Sequence, residues 1–259
     1  MPYADLDQVR LYYVIDGPAD APVLVLSNSL GTSADMWARQ VPELSRRFRV
    51  LRYDTRGHGK SSVPAGEYSF AQLAGDVAGL LDHLDIADAY FCGLSMGGPT
   101  GLQLALDHPQ RVRKLVLCNT AARIGSVESW SARIAAVAQD GLANMAPALV
   151  ERWLSPAYRA AEPGLTQVLV DMLRRTSDAG YSSNCAALRD ADLRGRLAEI
   201  KVPTLVIAGT QDPAATPRDG RELAAGIAGA RYLELDTSHI SNWEQPEAYT
   251  RAVADFLSE

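Results

Sequence analysis

The run Gly93-Leu94-Ser95-Met96-Gly97-Gly98 follows directly on the apolar stretch Ala89-Tyr90-Phe91-Cys92. This is G-x-S-x-G at the end of an expected strand, with small residues able to start a helix behind it, which is the context of a nucleophile elbow. So tight a strand-to-helix turn drives residue 95 into a strained backbone conformation. The flanking glycines remove the Cβ clashes that the turn would otherwise create. The Ser95 hydroxyl is then held above the sheet edge, within reach of a substrate. The alternative is a glycine-rich turn with an idle serine, since short motifs also match by accident.

A serine hydroxyl is a poor nucleophile until a base removes its proton. The chain has four histidines. His58 lies in the glycine-rich turn Asp54-Thr55-Arg56-Gly57-His58-Gly59, where loop hydrogen bonding is its simplest role. His83 sits beside Asp82, off the apolar stripe of a helix, and is expected in solvent. His108 precedes Pro109 at a helix end, where it suits the last carbonyls. His239 follows the strand Tyr232-Leu233-Glu234-Leu235 in the polar turn Asp236-Thr237-Ser238-His239. It alone has the loop placement and chain order of a base, in the sequence serine, acid, histidine.

The acid is expected between them, after another strand. The buried-strand run Pro203 to Gly209 ends in Thr210-Gln211-Asp212-Pro213. Asp212 is favoured to hold the imidazole tautomer and to stabilise the imidazolium. Two rivals remain. Asp236 lies close before His239 and suits a turn-shaping role, and Asp54 stands where Asp-x-Arg-Gly braces a loop. The tetrahedral oxyanion needs a pair of donors. One is the backbone N–H of Met96, next after the serine. The other is the N–H of Leu30 in Ser27-Asn28-Ser29-Leu30-Gly31, after the strand Val23-Leu24-Val25-Leu26. Both act through backbone amides, so their side chains are incidental.

Strand and helix alternate along the chain. Val9 to Ile15 is expected to form a hairpin with the N-terminal residues. Apolar strands follow near 23–27, 48–53, 89–94, 112–118, 203–209 and 230–235. Runs such as Leu115-Val116-Leu117 suit strands buried on both faces of a parallel sheet. Phe70, Leu73, Ala74, Val77, Leu80, Leu81 and Leu84 share one helical face, and Pro246 to Leu257 is another helix. From Ala121 to about Ile200 no strand is convincing and helical patterns dominate. This stretch reads as a helical cap over the carboxyl ends of the strands, where open α/β sheets bind ligands. The alternative is an ordinary surface excursion. The expected division is therefore an α/β core, 1–120 and 201–259, with a cap at 121–200.

Composition narrows the partners. The 259 residues are 47% hydrophobic and 22% charged, ordinary globular usage, and suffice for one α/β domain with an insertion. A net charge of −6 argues against nucleic acid and against an anionic membrane surface. Met1 to Leu11 lacks the apolar core of a signal peptide. No apolar stretch approaches bilayer-spanning length. The three cysteines, Cys92, Cys118 and Cys185, lack zinc or disulfide spacing. A cytoplasmic location is expected.

Taken together these segments resemble the α/β-hydrolases along the whole length, and more narrowly the 3-oxoadipate enol-lactonases of aromatic degradation. The resemblance rests on Ser27 to Gly31, Tyr53 to Gly59, Cys92 to Gly98, Asn119-Thr120-Ala121-Ala122-Arg123-Ile124-Gly125, Gly209 to Asp212, and Ser238-His239-Ile240-Ser241-Asn242. Elbow and triad belong to the whole superfamily, whereas the Ser-Asn-Ser-Leu-Gly and Asn-Thr-Ala-Ala-Arg-Ile-Gly segments are more specific. Many superfamily members carry His-Gly where this chain has Asn28-Ser29, which changes the side chains around the oxyanion loop.

The resemblance implies an α/β-hydrolase fold: a mostly parallel central sheet flanked by helices, with an inserted helical cap. It implies a small anionic lactone as substrate. Ser95 would attack the ring carbonyl, with His239 as base, and water would release 3-oxoadipate. No metal or organic cofactor is needed for that chemistry. The substrate's carboxylate calls for a local arginine. The candidates are Arg123 and Arg133, with Trp130 as an apolar wall, although each arginine alone also reads as a solvated surface charge. A serine carbon–carbon hydrolase, an esterase or perhydrolase, and a non-catalytic ligand receptor on the same fold remain alternatives. Protein partners are unspecified.

Overall fold

The apolar runs of the chain pair into one sheet of eight strands, seen in a computed structural model that describes residues 3–259. The strands are β1 (Tyr3–Leu6), β2 (Val9–Asp16), β3 (Val23–Ser27), β4 (Arg49–Tyr53), β5 (Ala89–Leu94), β6 (Val112–Cys118), β7 (Thr204–Gly209) and β8 (Arg231–Leu235). Their spatial order is β1-β2-β4-β3-β5-β6-β7-β8. The first two strands form the expected hairpin, and β2 runs antiparallel to β4. Every other pairing is parallel.

Helices cover both faces, which is why β5 and β7 are buried at every residue and read as unbroken apolar runs. The short α1 (Val41–Leu44) precedes β4, and α2 (Phe70–His83) and α3 (Gly97–Asp107) flank β5. Helix α2 starts where Ser69 and Gln72 cap each other reciprocally. Its stripe of Ala74, Val77, Leu80 and Leu81 packs against Phe91, Leu102 and Leu115. Each such leucine contributes roughly 1.5–3 kcal/mol on full burial.

Between β6 and β7 the described chain contains no strand. It forms α4 (Val127–Asp140), α5 (Leu142–Glu151), α6 (Pro156–Ala161), α7 (Pro163–Arg174) and α8 (Asp178–Asp190), then a 3-10 turn at Arg194–Glu199. Helix α4 packs on α8, and α5 on α7. Then α9 (Pro217–Gly226), α10 (Ser241–Glu244) and α11 (Pro246–Ser258) complete the chain. Tyr249, Val253 and Phe256 of α11 share one apolar cluster with Leu149, Leu169 and Leu173 of the inserted helices.

The order of connections reverses at β3, since β4 lies on one side of it and β5 on the other. A crevice at the carboxyl ends of strands opens at such a switch point. Ser27 pairs with Gly93 there, so the loop carrying Leu30 and the turn carrying Ser95 emerge side by side. None of the described helices is long and apolar enough to cross a membrane.

Candidate active site

Ser95 has φ +54, in the left-handed region, immediately after β5. The turn leaves no space for larger neighbours. A Cβ at Gly93 would run into the Gly97 carbonyl, and one at Gly97 into the Ser27 carbonyl. Two hydrogen bonds hold the strained residue: its N–H donates to the Cys118 carbonyl at 2.9 Å, and its own carbonyl accepts the Thr120 hydroxyl at 2.8 Å. Non-glycine residues in this region cost on the order of 1 kcal/mol or more and persist where surroundings over-determine them.

The side chain of Ser95 meets His239. Its Oγ lies 2.9 Å from His239 Nε2, and His239 Nδ1 lies 2.7 Å from Asp212 Oδ2. All three residues are buried. Asp212 accepts further bonds from the Ala214 and Ala215 N–H groups at 2.8 and 3.1 Å, and from Asn119 Nδ2 at 3.1 Å. Burial opposes the Asp212 charge, but the charge and hydrogen bond of His239 and the two amides outweigh it. The carboxyl is held below the ordinary aspartate range. An ionised Asp212 fixes the tautomer with the proton on Nδ1, leaving Nε2 free to accept from Ser95.

The two rival acids sit elsewhere. Asp236 is exposed and accepts from Thr210 Oγ1 and Gln211 Nε2 at 2.8 and 2.9 Å, bracing the turn. Asp54 accepts the Ala34 and Lys60 N–H groups, both at 2.7 Å, and braces its loop. His83 is exposed.

The loop after β3 is tied down around Leu30. The Ser29 N–H meets Met36 Sδ at 3.3 Å, and the Gly31 N–H donates to His58 Nε2 at 2.8 Å. Neither the Leu30 nor the Met96 N–H has a partner among the described residues, so both remain available as donors.

A cavity of about 310 Å³ opens above Ser95 and His239. Leu30, Leu149, Trp153, Leu188 and Pro213 give it apolar walls, and Trp130 and Arg133 line it as a pair from α4. The Trp130 indole N–H is committed to the Ile124 carbonyl at 2.6 Å, so the ring serves as wall. Arg133 Nη1 donates to the Tyr181 hydroxyl at 3.1 Å. Burial raises the Tyr181 pKa, so the phenol stays neutral against that guanidinium.

Arg123 requires a correction. It does not line this cavity. It lines a separate cleft with Arg194 and Glu222, and its Nη1 lies 3.4 Å from Asp192 Oδ2. Ala121, Ala122 and Arg123 line that cleft together, and this stretch reaches the cavity only from Ile124 onward.

The sequence reading missed four contributors. Arg152, at the end of α5, lines the cavity and makes no ion pair among the described residues. The adjacent Trp153 carbonyl accepts the His239 N–H at 2.9 Å, joining the insert to the base. Asn119 has φ +47 and spans Asp212 and the Ser238 carbonyl. Tyr181 holds Arg133. The usable signal was the apolar stripe of Leu149, Val150 and Trp153, which marks Arg152 as adjoining a buried face. Among the described residues no group of three or more His, Cys, Asp or Glu side chains is arranged to hold a metal ion.

Comparison with known proteins accords with this geometry. A family model described as alpha/beta hydrolase fold matches residues 22–246. The "3-oxoadipate enol-lactonase 2" of Acinetobacter baylyi is 45% identical over 95% of this chain and 92% of its own. A "putative carbamate hydrolase RutD" of Pseudomonas syringae is 35% identical over 93% of this chain and 95% of its own. The crystal structure of the enol-lactonase from Burkholderia xenovorans LB400 superposes with a TM-score of 0.98, at 54% identity and full coverage of both chains. With a parallel sheet, a serine at a strained strand–helix turn, and this match across the sheet and its insert, the chain belongs to the alpha/beta hydrolase fold family.

Proposed function

We propose that this chain opens 3-oxoadipate enol-lactone to 3-oxoadipate, through an acyl-enzyme on Ser95, in the protocatechuate branch of aromatic degradation. The observation that carries the reading is the hydrogen-bonded line from Ser95 Oγ through His239 to Asp212, ending in a cavity walled by Trp130 and two arginines. Similarity to named enol-lactonases supports the substrate class.

In this mechanism His239 Nε2 takes the Ser95 proton as Oγ attacks the ring carbonyl. The N–H groups of Leu30 and Met96 receive the developing oxyanion, where one preorganised donor is worth roughly 3 kcal/mol. The bond from the acyl carbon to the ring oxygen breaks. The leaving enolate, still tethered to the acyl chain, is protonated and becomes a ketone. His239 then activates water, which cleaves the ester to Ser95 and frees the new carboxylate. Arg133 and Arg152 hold the carboxylate already present on the substrate. Arg133 has N–H groups to spare beyond the one given to Tyr181.

The test is steady-state turnover of 3-oxoadipate enol-lactone beside p-nitrophenyl acetate, a carbamate and a vinylogous diketo acid. The expected order puts the enol-lactone at least about a hundredfold ahead in kcat/KM, the scale a few charge-assisted contacts supply. Preference for the carbamate would move the chain toward the carbamate hydrolases. Preference for the diketo acid would make it a carbon–carbon hydrolase, and absence of multiple turnover on all four would favour a receptor.

A further inference from the structure

His58 is fully buried and takes no part in the proton transfers described above. Its Nε2 accepts the Gly31 N–H at 2.8 Å, and its Nδ1 faces the Arg56 carbonyl at 3.3 Å. Accepting at Nε2 leaves the proton on Nδ1, which donates to Arg56. The ring is therefore used in its neutral form, and burial drives its pKa down to about 4.

What the ring holds is the residue after Leu30. Gly31 has φ +79, and a Cβ there would strike Leu173 and crowd Tyr181. Its carbonyl accepts the Thr176 hydroxyl at 3.1 Å. Both polar atoms of Gly31 are thus clamped, the N–H by His58 and the carbonyl by the insert. Asn184 of α8 extends the clamp, donating Nδ2 to the Arg56 and Gly180 carbonyls at 3.0 and 2.8 Å. Gly180 lies so close to Gly57 that neither tolerates a Cβ. Tyr181, next in α8, carries the bond to Arg133.

We infer that His58 is a positioning residue for the proposed reaction: its Nε2 fixes the Leu30–Gly31 peptide so that the Leu30 N–H points at the oxyanion, and its loop seats α8 beneath the substrate wall. The inference rests on the proposed role of the Leu30 amide. It predicts an effect on the transition state rather than on ground-state binding, because the oxyanion forms only there.

The test uses p-nitrophenyl acetate, so it does not depend on the lactone assignment. Three variants are compared: His58→Phe, which keeps ring bulk and removes the acceptor; His58→Gln, whose Oε1 reaches the Nε2 position; and Leu30 replaced by leucic acid, which exchanges its N–H for an ester oxygen. Rates are referred to folded protein by near-ultraviolet circular dichroism. In His58→Phe kcat should fall about 10- to 100-fold with KM within about twofold, less than the 10²–10³ expected for losing the donor itself. The inhibition constant of an aliphatic trifluoromethyl ketone should weaken by the same factor, and His58→Gln should recover most of both. A folded His58→Phe with wild-type kcat, beside a crippled leucic acid variant, overturns the role of His58 and leaves the oxyanion assignment standing. A silent leucic acid variant overturns the oxyanion assignment instead. If His58→Phe does not fold, His58→Gln against His58→Asn decides, since asparagine cannot reach the Nε2 position, and equal rates in those two overturn the inference.

Discussion

Asn119 Nδ2 stands 3.1 Å from Asp212 Oδ2 and, through the same amide group, 3.1 Å from the Ser238 carbonyl. The residue at the end of β6 therefore ties the carboxylate to the turn that carries His239. With φ +47, it uses one of the few side chains that tolerate this conformation.

Asn119→Gly keeps that backbone accessible and deletes the donor. The expected loss in kcat is about 10-fold, near 1.5 kcal/mol, the worth of one hydrogen bond to a charged group. Asn119→Leu should lose more, since it adds backbone strain at positive φ. A glycine variant with unchanged kcat and pH profile would show that the Ala214 and Ala215 amides alone suffice to hold Asp212.

The acid itself is tested against its neighbour. Asp212→Asn favours the wrong imidazole tautomer and should lower kcat by about 10⁴. Asp236→Asn removes only an acceptor for Thr210 and Gln211 at the surface, and should change kcat by less than about threefold. Ser95→Ala and His239→Ala should each lose on the order of a thousandfold or more, and no more when combined, because such residues act as a unit. Steady-state kinetics on the four single variants and the double variant decide this. A reversed order for the two aspartates would move the acid.

The buried neutral His58 makes folding sensitive to acid. Its unfolded value is near 6.5, and burial lowers the folded value to about 4. Between these pH values the unfolded chain binds the extra proton, so stability falls as pH falls. The contribution is complete above about pH 6.5, and roughly 3 kcal/mol of it is lost by pH 4. His58→Gln has no such titration, while the buried carboxyls of Asp54 and Asp76, the latter paired with Arg56, titrate alike in both proteins. Urea unfolding at pH 7 and pH 4 should show the wild type losing about 3 kcal/mol more than the variant. Equal losses would mean that burial does not lower the folded-state pKa of His58 below its unfolded value.

How much of this was legible in the chain depends on which force places each residue. Strands such as Leu115-Val116-Leu117 declare themselves because both faces of a parallel sheet are apolar. Ser95 is marked by the glycines its turn requires, and Asp212 and His239 by their position after successive strands. Arg123 and Arg152 were not separable in that way. Whether a side chain on an inserted segment meets the cavity depends on how α4, α5 and α8 pack on the core, and no local spacing encodes that. Arg123 sits beside Ile124 yet faces Asp192, whereas Arg152, at the end of α5, reaches the cavity. Tyr181 stays hidden for the same reason, because Arg133, the partner of its hydroxyl, is brought to it from 48 residues away.

The proposed substrate preference rests on Arg133 and Arg152, and substitution separates them. Arg133 lines the cavity with Trp130 and is oriented by Tyr181, while Arg152 lines it from the end of α5. Arg133→Met and Arg152→Met keep much of the stem and remove the charge. If either binds the substrate's carboxylate, kcat/KM for the enol-lactone should fall by about 2 kcal/mol, roughly 30-fold, the scale of a charge-assisted hydrogen bond. Turnover of p-nitrophenyl acetate should hardly change. Tyr181→Phe frees the Arg133 guanidinium from its guide and should cost the enol-lactone less than Arg133→Met does. Arg123→Met serves as the control: it removes a half-exposed ion pair with Asp192 outside the cavity, worth at most about 1 kcal/mol of stability, and should leave both substrates alone. Equal losses on the charged and neutral substrates would indicate a misfolded insert. A selective loss in Arg123→Met, with none in Arg133→Met or Arg152→Met, would return the carboxylate to the cleft that Arg123 lines.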